Sequence, residues 1–518
     1  MSANGVSVHH LNNDLRSKLL DTGLPSTASV HEIEPLVIRP EGESMICPND
    51  GKLGTAYVDA LDGSDNIGLP SFMLSYSWSY RICEIVDTLV KFCEDSSLDP
   101  RKTYIWICCL CINQHRVIAA RSRGETVSFE SFREAFGSRV LRIGHILAMM
   151  APWRSPVYIT RVWCLFELYT ALALGTEQCQ VTVVMPPQES EGFHKALLED
   201  CALDGVSKCL TDISVCNASA SFEDDRKHIL KLIEDGPGFT QLNHMISSQL
   251  MDWMVTNSAD FVKHSIKIAQ RPDVTLANLC FVVGNLLEDI GRVDDGIELM
   301  LESRRIREET GTLETDDGAH LLACIGTAQR RKNNLSAMCE FYDQALLIRE
   351  RLHILDTICG AILLMHLGVA AGQSGDRAAK LCFFERASQV WESLDVAHPS
   401  RARLLEELGG TRADVGDHAA ALEWYRKAYE MREVTGTSGS YDAADLLSSM
   451  GFSRGALGDT HTELQHYREA LRIRTATVTM NTPGGALLQQ RLDDAKQRIA
   501  SVVEEEGSGY RSMGCCLP

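Results

Sequence analysis

Five glycines set the strongest limit on what this chain can fold into. Gly284, Gly326, Gly368, Gly409 and Gly451 open the stretches "GNLLEDIG", "GTAQRRKN", "GVAAGQSG", "GGTRADVG" and "GFSRGALG", at intervals of 42, 42, 41 and 42 residues. A fixed period of this length marks a supersecondary unit that cannot bury its apolar face alone and must stack on its neighbours. Sixteen residues after each glycine stands a large side chain (Met300, Tyr342, Phe384, Tyr425, Tyr467), and nineteen after it a small one (Ser303, Ala345, Ala387, Ala428, Ala470). Large and small residues one turn apart share a helix face and let paired helices interlock. The predicted unit is a helical hairpin, with "ALLQQRLDDAKQRIASV" as a capping helix.

The segments "FYDQALLIRERL", "WYRKAYEMREV" and "HYREALRIRTA" resemble tetratricopeptide repeats (TPR) of the longer, kinesin-light-chain type, from about residue 275 to 478. The resemblance implies a concave surface that holds a peptide or a partner domain. It does not imply a kinesin, because no motor-binding coiled coil precedes the repeats.

A chain of 518 residues exceeds one ordinary core, and its first half is different in kind. Residues 1–68 lack a sustained period and are expected to form an irregular extension. From residue 69, strand-like runs ("SFMLSY", "TYIWICCLCI", "RIGHILAMM", "CQVTVVM") alternate with helical ones ("RICEIVDTLVKFCED", "FESFREAF", "TRVWCLFELYTALAL"). A last pair, "LTDISVC" and "FEDDRKHILKLIED", would complete five strands. Such alternation predicts an α/β domain with a parallel sheet covered on both faces. The expected division is an extension over 1–68, an α/β domain over 69–260, an all-α solenoid over 265–500 and a flexible tail over 501–518.

A net charge of −20 argues against nucleic-acid binding, which needs a basic face. No apolar run is long enough for a membrane span, and the amino-terminal residues lack a signal-peptide core, so a cytoplasmic location is expected. The 18 cysteines, scattered through apolar segments, suit buried thiols in a reducing compartment. Near the end, "GCCLP" presents Cys515 and Cys516 as candidates for acylation, which would add only reversible, peripheral membrane contact.

One charged side chain, Glu167, interrupts the apolar run from Val162 to Thr176. A buried carboxylate is costly without partners or solvent, so it is expected either to open onto a cleft or to pair with an arginine such as Arg161 or Arg142. Trp163 lies one turn before it on the same face. Trp163, Cys164 and Glu167 resemble the tryptophan-cysteine-x-x-glutamate segment of TIR domains. "FMLSYSW" resembles their first strand, and "YIWICCLCINQ" the strand of related heterokaryon-incompatibility domains. The resemblance implies a flavodoxin-like fold, self-association and, in catalytic members, a glutamate that cleaves NAD+. It departs from the family at Ser71, Ser77 and Cys108, where acidic, arginine and aspartate residues are usual.

On that resemblance Glu167 is the candidate catalytic carboxylate, placed to stabilise an oxocarbenium-like centre. Trp163 is the candidate pocket wall, and Ser75 and Trp78 the pocket edge. The basic loop "NQHRVIAARSRGE" offers Arg116, Arg121 and Arg123 to a pyrophosphate. NAD+ would be a substrate, and no cofactor is implied. Cys108, Cys111 and His115 have a zinc-like spacing, but without a second cysteine pair no metal site is assigned. The rival reading is a non-catalytic TPR adaptor in which Glu167 is structural.

Overall fold

Apolar runs without polar alternation make strands covered on both faces, and the first half of the chain uses them so. The computed structural model describes residues 2–123, 129–200, 213–220, 223–477, 479–480 and 482–512. The chain divides into two compact units, Met1–Lys267 and Ile268–Pro518.

In the first unit, six strands among the described residues form one mixed sheet: β1 (Gly5–Ser7), β2 (Ile67–Gly68), β3 (Phe72–Ser75), β4 (Tyr104–Ile107), β5 (His145–Met149) and β6 (Gln180–Val184). Their order is β2-β1-β4-β3-β5-β6. Strands β3 to β6 are parallel, with Leu74 opposite Ile107 on one side and Leu147 on the other. The longer helices of this unit are α1 (Ile82–Asp95), α2 (Gln114–Ser122), α3 (Phe129–Ile143), α4 (Val162–Leu174), α5 (Pro187–Asp200), α6 (Glu223–Asp235) and α7 (Phe239–Ile268), with shorter turns of helix between Val8 and Glu41. The chain steps from β3 to β4 in one direction and from β4 across to β5 in the other. Right-handed crossovers therefore put α1 and α3 on opposite faces. Consistent with this, α5 packs with α1, whereas α3 and α6 both pack with α4.

Four sequence expectations are corrected here. The supposedly irregular residues 1–68 supply β1, antiparallel to β4, and β2, antiparallel to β1, and β1 seals the edge of β4 through Val6 opposite Ile105. Strands of three and two residues are too short to carry a period, yet Val6 of β1 and Val8 in the helical turn that follows it are fully buried. "TYIWICCLCI" is strand only to Ile107, then turns into one helical turn, Cys108–Cys111. The basic "loop" is helix α2, with Asn113 Oδ1 accepting from the Arg116 amide at 3.2 Å. The fifth parallel strand is not formed where the chain is described: Val215–Asn217 is a short 3-10 turn, and residues 210–212 lie outside the described residues.

The second unit is the expected stack of five helical hairpins. They are α8 (Val274–Asp289) with α9 (Val293–Glu309), α10 (Asp316–Arg331) with α11 (Leu335–Arg351), α12 (Ile358–Gln373) with α13 (Arg377–Leu394), α14 (Pro399–Ala413) with α15 (His418–Val434), and α16 (Tyr441–Ala456) with α17 (Thr460–Ala476). The capping helix α18 (Pro483–Ser512) continues into what was expected to be a flexible tail, and Cys515 and Cys516 lie outside the described residues.

The period has a steric origin. A Cβ placed on Gly326, Gly368, Gly409 or Gly451 would come within 2.4–2.6 Å of the ring of Tyr342, Phe384, Tyr425 or Tyr467. At Gly284 the opposing atom is Met300 Cγ, at 2.8 Å. Each hairpin turns through a residue of positive φ at Gly291, Asn333, Gly375, Gly416 or Gly458, the left-handed exit that glycine favours. A third periodic position was not read from the sequence: Arg307, Arg349, Arg432 and Arg474 are at most 3% exposed near the ends of the second helices. Each reaches the first helix of its own hairpin, at Asn278, Asp316, Glu406 and Asp445 respectively. In the third hairpin this place is held by Trp391, stacked on His398.

Adjacent glycines separate packing from backbone propensity. A Cβ on Gly410 meets only the Tyr425 hydroxyl, at 3.9 Å, whereas one on Gly409 meets the Tyr425 ring at 2.5 Å. Gly410→Ala should stabilise by about 0.5–1 kcal/mol through helix propensity, and Gly409→Ala should destabilise by about 1–3 kcal/mol through overpacking. Urea unfolding midpoints that move in the same direction for both variants would refute the steric account.

Candidate functional site

In an open α/β sheet, ligands bind outside the carboxyl ends of the strands where successive crossovers diverge. Here the point where the crossovers diverge lies between β3 and β5, and Ser75, Trp78 and Glu167 line none of the principal cavities among the described residues. Ser75 is the last residue of β3, and the segment after β5 leads into α4, which carries Glu167. The start of α4 is pinned by a bridge to Ser219, with Val162 N–H donating to the Ser219 carbonyl at 2.9 Å.

Glu167 is half-buried, and its partner is a hydroxyl, not an arginine: Ser75 Oγ–H donates to Glu167 Oε2. No cation pairs with Glu167 among the described residues, so neither Arg161 nor Arg142 plays the expected compensating role. Loss of solvent pushes its carboxyl up from 4.5 to about 7, with the Ser75 hydrogen bond pulling the other way. Behind Ser75, fully buried Tyr158 places its hydroxyl 2.9 Å from Ser75 Oγ and 3.2 Å from the Cys164 carbonyl.

Trp78 also reaches this end of the sheet. Its Nε1–H donates to Cys108 Sγ at 3.2 Å, and that thiol lies 3.4 Å from the Tyr76 hydroxyl. Burial, and secondly the negative charge of Glu167, push the Cys108 thiol up to about 11, so it stays protonated. Trp163 turns away from this group. Its ring meets Phe166 edge-on at 5.9 Å and its Nε1–H points to Asp225 of α6 at 3.3 Å. Ser75, Trp78 and Glu167 are thus brought together around Cys108, with Trp163 on the α6 side.

The arginine expectation fares differently. Arg116 is held by both oxygens of Asp50, at 2.6 and 3.1 Å, and donates to the Leu53 carbonyl at 3.0 Å. Those bonds hold the Asp50 carboxyl well below the usual range. Its guanidinium is used to fasten α2 to the amino-terminal segment and is not offered to a phosphate. Arg123 is exposed just beyond α2, and the side chain of Arg121 lies outside the described part. The zinc-like trio also disperses. Cys111 Sγ accepts from the Ile107 amide, and His115 Nε2 lies 3.0 Å from the Arg39 carbonyl. Among the described residues no three His, Cys, Asp or Glu side chains are grouped to hold a metal ion.

Tyr158 and Cys108 were not identified from the sequence as parts of the site. Tyr158 sits in a 3-10 turn with no periodic signal, and Cys108 was read as the interior of a strand. In the second unit, the first helices carry solvent-facing His320, Arg403 and Phe452. Among the described residues no helix is long and apolar enough to cross a membrane.

Comparison with known proteins addresses the second unit. Residues 400–476, the fourth and fifth hairpins, match the tetratricopeptide repeat family. BtubC (BKLC) from P. vanneervenii is 17% identical over 44% of this chain and 92% of its own, with a TM-score of 0.37. A Podosopora anserina chain of nearly identical TPR-like repeats, named after kinesin light chain, is 14% identical over 40% of this chain and 98% of its own, with a TM-score of 0.33. The apo form of the quorum sensor NprR from B. thuringiensis is 12% identical over 58% of this chain and 79% of its own, with a TM-score of 0.36. No curated protein matches the chain. The second unit carries tetratricopeptide repeats.

Proposed function

We propose that the protein is a TPR adaptor that holds a peptide or protein ligand along the first helices of its repeats. The observation that carries this is the regularity of the stack: five hairpins joined by the same glycine–large-residue contact, with the family match over the last two. A solenoid so built presents a continuous surface of first helices, a common use of repeat folds. Peptide display panned against the full chain should enrich a consensus ligand. Alanine at exposed His320, Arg403 or Phe452 should weaken binding of that ligand by roughly tenfold at any contact that is a hot spot. An enriched peptide indifferent to all three, with unfolding midpoints unchanged, would place the ligand elsewhere.

A second reading is favoured by one observation, a carboxylate at the β3–β5 switch point that pairs with no cation among the described residues. In this reading residues 69–260 are a TIR-like domain that cleaves NAD+ between nicotinamide and ribose. The C–N bond breaks, its electron pair leaves with neutral nicotinamide, and water adds to the ribosyl carbon and gives up one proton to solvent. Ionised Glu167 faces the developing positive charge. Ser75 orients the carboxylate and Trp78 borders the switch point.

Glu167→Gln tests both the chemistry and the cost of the carboxylate. Nicotinamide release, assayed at high protein concentration because the resemblance implies self-association, should rise with pH through about 7 and vanish in the variant. Stability should respond in the opposite sense. A carboxyl raised from 4.5 to about 7 binds its proton more tightly in the folded chain, so stability is lost as pH climbs between those values. Glu167→Gln should therefore be more stable than the parent at pH 8, by up to about 3 kcal/mol in unfolding free energy, with no such gain at pH 4. Stabilisation without any parental turnover would leave the adaptor reading alone.

A further inference from the structure

The buried hydroxyl pair behind Glu167 has no use in packing that a phenylalanine and an alanine could not serve. Tyr158 and Ser75 are both fully buried, and among the described residues neither hydroxyl bonds a charged side chain other than Glu167. The geometry points to Tyr158 as a positioning residue for Glu167, acting through Ser75 in a two-state hydroxyl relay that ends on the Cys164 carbonyl.

The proton count supports the relay. With Glu167 ionised, Ser75 Oγ–H donates to the carboxylate and Tyr158 O–H donates to Ser75 Oγ, so both dipoles point toward the charge. With Glu167 protonated, the chain reverses: the carboxyl O–H donates to Ser75, Ser75 donates to the Tyr158 oxygen, and Tyr158 O–H donates to the Cys164 carbonyl. Every hydroxyl proton has an acceptor in both states, and no proton enters or leaves except at the carboxyl. The terminal carbonyl makes this possible, because without it Tyr158 would have no acceptor once Ser75 had turned to donate. Burial holds the Tyr158 phenol well above its usual range, so it relays hydrogen bonds and is never itself the acid.

The other ionisable neighbours do not substitute for it. Cys108 and Cys164 face Glu167 as thiols that burial keeps protonated. Tyr76 is bonded to Cys108, Arg161 lies near Cys164 at the start of α4, and Asp225 of α6 is engaged by Trp163. Hydrogen bonds to a charged acceptor are the stronger kind, so the ionised arrangement gains more from the relay than the neutral one. Removing the Tyr158 hydroxyl should therefore make Glu167 harder to ionise.

A catalytic meaning for Tyr158 rests on the NAD+-cleaving reading, so the test is a titration that does not require turnover. In the full chain labelled with ¹³C at glutamate Cδ and tyrosine Cζ, the Glu167 resonance, assigned from Glu167→Gln, reports its own midpoint. Tyr158→Phe should move that midpoint upward by roughly half a pH unit, and Ser75→Ala by more. In the Ser75→Ala background Tyr158→Phe should add nothing, since the relay is already cut. The unaltered chain gives a readout that needs no folded variant: the Tyr158 Cζ resonance should shift with the Glu167 midpoint. A Tyr158 resonance indifferent to that midpoint, or a Tyr158→Phe effect that persists in full without Ser75, would overturn the relay. An intact relay in a chain that never releases nicotinamide would leave the relay standing and remove only its catalytic meaning.

Discussion

The contact between a backbone without a side chain and the residue opposite it governs the second unit. With no Cβ at the five marker glycines, each first helix can lie against Met300, Tyr342, Phe384, Tyr425 or Tyr467 of its partner. That approach sets the separation within each hairpin, and the repeated separation sets the pitch at which hairpins stack. The small residue nineteen positions on serves the same approach from the other side, and Ser303 uses its hydroxyl to bond the Ala277 carbonyl at 2.7 Å. Glycine in a helix costs about 1 kcal/mol in propensity, which the close packing against four rings and Met300 must exceed at each of the five positions. Substitution at these positions therefore acts on spacing first and on local helicity second.

This is also why the solenoid was legible in the sequence. A steric requirement that admits one residue type leaves a mark at every turn of the repeat, and the mark is periodic. The buried arginines were equally periodic but escaped notice. A charged residue near a helix end reads as surface, and only the structure shows Arg349 or Arg474 1% exposed and tied to Asp316 or Asp445. Each stays buried because the carboxylate or amide on its own first helix supplies the partner that burial demands. In the third hairpin the same place is filled by uncharged Trp391, which stacks on His398.

The first unit was legible to the extent that its strands were continuous apolar runs. Strands β3 to β6 were found from such runs, whereas β1 and β2 were too short to carry any pattern and are defined by pairing alone. The end of β4 was misjudged because cysteine is as acceptable in a buried helical turn as in a strand, so the chemistry of Cys108–Cys111 did not mark the boundary. At the site, Glu167 stood out because charge in an apolar run is expensive, and Ser75 because it ends the first parallel strand. Arg116 misled for the same reason that made it visible. A basic cluster in an acidic chain suggested an anion, and the anion is Asp50 of the same chain.

Arg116 and Glu167 mark the difference between an internal charge and one left uncompensated. Arg116 is satisfied by two carboxylate oxygens and a carbonyl, so a ligand gains little by approaching it. Among the described residues Glu167 has one hydroxyl donor and no cation, and its carboxyl is raised to about 7. A fold under selection for stability alone could replace it with an apolar residue of similar volume at no loss. A half-buried carboxylate where the crossovers part is a cost in stability, and the hydroxyl pair behind it offers hydrogen bonds to the carboxyl in either protonation state.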